Sequence, residues 1–323
     1  MPIHPTDEEA TPMRTVAIDL GGTAVKLGSF DSGRLVEATE FAAVDGRLGL
    51  DEVAHRVDLL LAGEPARAIG IAVPGVVDPD SSSLLAAHGK YADLHGIDLS
   101  AWARERFGCP AAVENDARAA LVGEITDGCA QGSRDALLIV LGTGIGAAAV
   151  LDGRVVRGRH GHGAILGGHI TVDLDGPRCP CGNIGCAEAL ASTWALAADA
   201  AAGVLALGPG LADHLAERGT IGIIDLVQTR DEPESAAILD RYIRTWAAVI
   251  VTQCHAFDPD VVIVTGGIMR AAEVILPALR ERVHADLWSS SFRPPFVTPD
   301  DPSTSVLRGL AALADDLPSK GRP

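Results

Sequence analysis

Residues 168–188 read Gly-His-Ile-Thr-Val-Asp-Leu-Asp-Gly-Pro-Arg-Cys-Pro-Cys-Gly-Asn-Ile-Gly-Cys-Ala-Glu. Three of the six cysteines of the chain, Cys179, Cys181 and Cys186, fall in the last part of this stretch, with His169 upstream. Three thiolates and one imidazole complete a tetrahedral shell around zinc and leave no open position, as a structural zinc requires. The glycines and proline permit the sharp turns that bring closely spaced ligands to one ion. Three unrelated cysteines in a loop would be the bland alternative, but Cys-x-Cys-Gly-x3-Cys is dense and His169 stands at a suitable distance. A disulfide is disfavoured on other grounds: nothing else in the chain looks secreted, and a Cys-x-Cys pair is poorly placed to bridge itself. The spacing predicts a zinc site of His169, Cys179, Cys181 and Cys186.

The rest of the composition bounds what surrounds this site. A chain of 323 residues with 47% hydrophobic content can bury a large core, and its length suggests two domains. Aromatics are scarce while Ala, Val, Leu and Gly abound, which suits an α/β protein with buried parallel strands. A formal net charge of −17 repels DNA and anionic lipid, so neither nucleic acid nor membrane is an expected partner. That charge does not exclude ATP, whose phosphates are held locally by backbone N–H groups and metal. Residues 1–12 lack the basic and apolar regions of a signal peptide and read as a flexible extension. No apolar run reaches membrane-spanning length, so a cytoplasmic protein with reduced thiols is expected. Cys109, Cys129 and Cys254 read as ordinary small core residues.

Hydrophobic periodicity and turn residues predict strands at 14–20, 24–30 and 34–44, a helix at 50–61, a strand at 68–77, a loop at 81–96, a helix at 98–107, a strand at 111–114 and a helix at 116–125. The same grammar then repeats, with strands at 135–141, 147–151 and 154–157. Helices are expected at 189–207, 234–257, 271–284 and 303–315, with a strand at 261–264. The echo implies a duplicated βββαβ unit facing a cleft. The expected division is an N-terminal α/β domain at 13–125, completed by a C-terminal helix at 303–317, and a C-terminal α/β domain at 126–302 carrying the zinc loop.

Three glycine turns are candidate phosphate or nucleotide sites. Asp19-Leu20-Gly21-Gly22-Thr23 offers approachable backbone N–H groups, the hydroxyl of Thr23, and an Asp that can hold Mg²⁺ through water. Gly142-Thr143-Gly144-Ile145-Gly146 is the second, and Thr265-Gly266-Gly267 the third. Each alone reads equally as a plain glycine turn. The second is neither a Walker A loop nor a Rossmann fingerprint, because neither Gly-Lys-Ser/Thr nor an opening helix follows it. Glu114-Asn115-Asp116-Ala117 joins a strand to a helix. Taken alone, Asn115 or Asp116 is an ordinary N-cap.

Together these motifs resemble the ROK family of bacterial sugar kinases and sugar-responsive repressors, within the sugar kinase, actin and heat-shock chaperone ATPase superfamily. The resemblance runs from about residue 15 to about residue 313. It implies the two-domain actin-like, ribonuclease H-like ATPase fold. It implies that Gly21, Gly22 and Thr23, with Gly142, Thr143, Gly144 and Gly146, embrace the ATP phosphates, with Asp19 near the metal and Gly266 and Gly267 against the adenosine. It implies Asp116 as general base and Asn115, Gly75, His169 and Glu188 as sugar-binding groups, with a homodimer common among relatives. A carboxylate within hydrogen-bond reach accepts the proton of a sugar hydroxyl as the bond to phosphorus forms.

The chain departs from the family pattern in three places. Leu166 stands where the family's kinases carry a sugar-binding Glu. Residues 89–96 replace an Asn-Leu-x-Gly-Trp segment. The residues before Arg14 leave no room for the DNA-binding winged helix of the family's repressors, so none is expected. The expectation is an ATP-dependent hexose kinase using Mg-ATP and a structural zinc, acting at the 6-hydroxyl, with glucose as the default acceptor. A kinase for an amino- or N-acyl-hexose is the alternative, and a sugar-binding regulator without turnover is a rival of another class.

Overall fold

A computed structural model describes residues 13–44, 46–87 and 89–317. The extension expected at 1–12 lies outside the described residues. The chain forms two compact units, one made of residues up to Asp116 together with those from Leu307 onward, the other of Ala117–Val306.

The first unit contains strands β1 (Arg14–Leu20), β2 (Ala24–Asp31) and β3 (Arg34–Ala42), helix α1 (Gly46–Leu61), strands β4 (Ala66–Val73), β5 (Gly75–Val77) and β6 (Leu84–Ala87), helix α2 (Leu99–Phe107) and strand β7 (Ala111–Asn115). Its five-stranded sheet has the order β3-β2-β1-β4-β7. The first three strands pair antiparallel, while β4 and β7 run parallel to β1. Val16–Ile18 and Ile69–Val73 are continuous buried runs, because both faces of this sheet are covered. Val53, Val57 and Leu60 of α1 and Leu99 and Ala103 of α2 form one core with Ile18, Leu20, Ile69 and Ile71. A helix at Ser305–Asp315 returns to this unit. Gly70 leaves the space that the Leu310 backbone occupies, so a Cβ at 70 would overlap it.

The strand expected across 68–77 breaks at Pro74, which has no N–H to continue a ladder. Beyond it β5 pairs with β6 as a separate two-stranded ribbon. The expected loop at 81–96 therefore holds β6 and a 3-10 turn at Gly89–Leu94.

Helix α3 (Asp116–Asp127), all but its first residue in the second unit, is followed by β8 (Ala136–Leu141), β9 (Ile145–Leu151) and β10 (Arg154–Val155). Next come helices α4 (Ala187–Ala191), α5 (Thr193–Ala201), α6 (Pro209–Arg218), α7 (Ile223–Gln228) and α8 (Pro233–Phe257). Strand β11 (Val261–Thr265), helix α9 (Ala272–Asp286) and strand β12 (Phe296–Val297) lead to the final helix, α10 (Ser305–Asp315). The sheet order β10-β9-β8-β11-β12 repeats that of the first unit, with the same antiparallel and parallel halves. The division lies at 116/117 rather than at the expected 125/126. Ala117, Ala120 and Leu121 pack with Leu138, Ala148, Val150 and Ile263, so α3 shares the core of the second unit.

The single helix expected at 189–207 is two. Ser192 adopts an extended conformation and its hydroxyl accepts from Ala195 N, capping α5. Helices α6 and α7 go beyond the expected elements. Pro209 opens α6 and a left-handed Gly219 closes it. No helix among the described residues is long and apolar enough to cross a membrane.

Candidate active site and metal centre

In the first unit the predicted groups gather at the C-terminal ends of the parallel strands, where open α/β sheets place their ligands. Asp19 is near the end of β1, Gly75 lies just beyond β4, and Asn115 ends β7. The buried Glu114 accepts from Asn115 N, and the Asn115 amide donates to Gly75 O at 3.1 Å and to Asp116 Oδ1 at 3.0 Å. Asp116 is thus the first residue of α3, and its carboxylate is oriented by the preceding Asn. Burial, then Asp116, push the Asp19 carboxyl up to about 7, with Lys26 across the β1–β2 ladder pulling the other way and Glu40 adding to the rise. Asp19 is half-buried by surface area, yet desolvation remains the largest cause. Gly21 leads the turn, and Tyr91 Oη donates to its carbonyl at 2.9 Å. Gly22 and Thr23 are exposed. A carboxyl raised first by burial and then by a second carboxylate favours its protonated form or a cation beside it.

In the second unit Gly142 N donates to Gly144 O, while the carbonyls of Gly142 and Thr143 accept from Thr193 N and Trp194 N. The β8–β9 turn is therefore tied to the start of α5. Gly266, at φ +102°, lies against Leu141, so the turn after β11 approaches the turn after β8 so closely that a Cβ would overlap Leu141 O. A cavity of about 500 Å³ opens here, lined by Gly142, Thr143, Gly267, Arg218, Asp225 and Gln228, among others. Asp225 is buried and accepts from Arg218 Nη1 at 2.7 Å and Gly222 N at 2.8 Å. Sequence reasoning missed Arg218, Asp225 and Gln228. They stand on two short helices whose letters carry no motif.

Glu188 links the second turn to the loop that ends at Cys186. Its Oε2 accepts from Ile145 N at 2.8 Å, and Trp194 Nε1 donates to Oε1 at 3.4 Å. The same carboxylate lies beside Gly144 and Gly168.

The ligand atoms of His169, Cys179, Cys181 and Cys186 all lie within 4.8 Å of one another. His169 Nδ1 and Cys179 Sγ are 3.7 Å apart, as are the Cys181 and Cys186 sulfurs. Short bridges pair Thr171 with Cys186 and Arg178 with Ile184. Gly185, at φ +70°, passes so close to the Asp173 carbonyl that no side chain fits. Burial pushes the Cys179 thiol up to about 12 and raises Cys186, while the Asn183 backbone N–H draws Cys181 down. Closely packed, partly buried thiols become thiolates together only around a cation, and four donors at this spacing fit a tetrahedral Zn²⁺.

Comparison with known proteins places this geometry among relatives. The ROK family profile matches residues 15–317. A glucokinase of Thermotoga maritima is 32% identical over 280 residues, covering 84% of this chain and 87% of its own. A kanosamine kinase of Amycolatopsis mediterranei is 30% identical over 308 residues, covering 93% of this chain and 95% of its own. The crystal structure of a ROK family glucokinase from Streptomyces griseus in complex with glucose and AMPPNP superposes with a TM-score of 0.79 at 30% identity, covering 94% of this chain and 99% of that one.

Proposed function

Because this chain belongs to the ROK family, we propose that its acceptor is a hexose, phosphorylated at the 6-hydroxyl, with Asp116 as general base. It is an ATP-dependent sugar kinase. The observation that carries the finer reading is the Gly75–Asn115–Asp116 hydrogen-bond chain, with Asp19 electrostatically coupled to Asp116. Asn115 holds the Asp116 carboxylate in one orientation. That carboxylate accepts the proton of the acceptor hydroxyl while the hydroxyl oxygen bonds to the transferred phosphorus and the bond to ADP breaks. Gly75, Asn115, His169 and Glu188 are the sugar-binding groups. Backbone N–H groups at 21–23 and 142–144 neutralise phosphate charge, and Gly266 and Gly267 lie along the adenosine.

Asp19 is the residue that would hold Mg²⁺ through water, and Mg²⁺ when bound supplies charge neutralisation of the phosphates. His169, Cys179, Cys181 and Cys186 would hold zinc, which fixes the segment presenting His169 and Glu188.

The second reading, an amino- or N-acyl-hexose as acceptor, has its own support. Leu166 in the 166–169 turn is 41% exposed, offering an apolar wall where a ring hydroxyl would want an acceptor. A kanosamine kinase is among the relatives. ADP release from Mg-ATP with a panel of hexoses and aminohexoses separates the two readings. No turnover with any of them would remove both.

A further inference from the structure

Arg118 is 1% exposed and, after Trp246, the largest fully buried side chain. It is the third residue of α3, two after Asp116. Its guanidinium reaches across to an irregular loop, residues 156–163, and gives its N–H groups to that loop's backbone. Nε donates to Val156 O at 3.1 Å, and Nη2 to Gly161 O at 2.8 Å, Gly163 O at 2.6 Å and, more weakly, Arg157 O at 3.4 Å. The loop also closes on itself, Gly163 N donating to Arg157 O at 2.9 Å. Its course is not one the backbone takes unaided. Gly158 and Gly161 have positive φ, and Ala164, a residue with a Cβ, sits at φ +64° immediately beyond. A non-glycine left-handed residue persists only where its surroundings over-determine it.

Immediately C-terminal to this loop is the turn at 166–169, carrying Leu166, the two close-packed glycines and His169. Downstream, the turn is fixed because Gly167 lies against Ala147 and Gln253, and Gly168 against the Ile145 carbonyl. Upstream, residues 156–166 contain no helix or strand to fix it. The fixed point there is a fork of donors on a rigid helix, and a fork matches several carbonyls in a way that a single ammonium cannot.

We propose that Arg118 is a positioning residue for the acceptor sugar: it holds loop 156–163 in one conformation and so sets where the 166–169 turn stands. The assignment rests on the sugar-kinase reading above, and on that turn being part of the acceptor side. Removing the guanidinium leaves several inward-facing carbonyls short of a donor and lets Ala164 relax, so the turn loses its register while the nucleotide cavity, built from other elements, keeps its shape.

The test uses the full-length zinc-loaded protein with Arg118→Ala and Arg118→Lys. Steady-state kinetics should give a sugar KM raised about tenfold or more, with the ATP KM within about twofold, since only the acceptor's positioning is lost. Zinc content should stay unchanged, and free guanidinium should partly restore the sugar KM of Arg118→Ala. Hydrogen exchange should quicken across 156–166 and not across 265–271. Sugar and ATP KM rising together, or unchanged exchange in 156–166, overturns the proposal. If Arg118→Ala does not fold, Arg118→Lys decides it by the same two readouts. If wild type turns over no hexose, the proposed function fails, while the exchange comparison still decides whether Arg118 holds the loop.

Discussion

Replacing Asp19 by Asn should change the pH dependence of stability as well as activity. The carboxyl of Asp19 stands at about 7 against an ordinary 3.8, first because of burial and second because of Asp116. A raised carboxyl favours folding fully below its unfolded value and loses that contribution as pH climbs through the folded value. The window is therefore about pH 4 to 7, and stability falls as pH rises through it. At 1.36 kcal/mol for each pH unit, the gap corresponds to a ceiling of about 4 kcal/mol. Asp19 is half-buried, and solvent screening brings the expected effect to the order of 2 kcal/mol. Asn keeps the shape of the protonated acid and cannot ionise. In chelator-treated protein without nucleotide, the stability of Asp19→Asn relative to wild type should grow by that amount between pH 4 and 8. In a thermal scan this is a differential shift of roughly 3 °C for a chain of 323 residues. Adding Asp116→Asn to wild type should shrink the effect, since one of its causes is gone. A variant whose advantage stays flat with pH, or reverses, would refute the reasoning.

Other perturbations have equally definite outcomes. Asp116→Asn should lower kcat by ~10²–10⁴ and leave sugar affinity within a small factor, as measured by turnover and by calorimetric sugar binding; near-normal kcat removes it as the base. Purified protein should hold one zinc per chain by elemental analysis, and Cys181→Ser should lose both the zinc and thermal stability; folded, active protein without zinc contradicts this. A hydroxyl facing Leu166 loses its water without gaining a partner, at about 1–3 kcal/mol, so Leu166→Glu should move kcat/KM towards glucose and away from modified hexoses. If wild type already prefers glucose over every sugar tested, Leu166 does not set specificity.

The clustering of His169, Cys179, Cys181 and Cys186 was legible because it is written locally: four donors within eighteen residues, spaced by glycines that only a tight fold requires. The strand-to-helix junction at Glu114–Ala117 was legible for the same reason, since neighbouring letters carry it. The far wall of the cavity beside the 142–144 turn was not. Arg218, Asp225 and Gln228 come from helices that look like any amphipathic surface helix, and they meet the 142–144 turn only through tertiary packing. Arg118 shows the same blindness more sharply, because its partners are carbonyls, which no sequence displays. The break of 189–207 at Ser192 was a capping event hidden inside an alanine-rich run whose propensity favours one unbroken helix. The displaced division at 116 arose because strand and helix adjoin without a linker, so nothing in composition marks it.

The return of α10 to the first unit has a consequence for the order of folding. Thr15 Oγ1 bonds Asp315 Oδ1 at 2.6 Å across a sequence separation of 300 residues, Arg67 pairs with the same carboxylate, and Gly70 leaves room for the Leu310 backbone. The second unit is one continuous segment and can close as soon as it leaves the ribosome. The first unit is synthesised earlier yet finishes later, with an apolar sheet face bare until the last helix arrives. Loops of that length close slowly, and an uncovered sheet face is the surface on which nascent chains associate. Chaperone demand and sensitivity to C-terminal truncation therefore fall on the half of the molecule that carries Asp116.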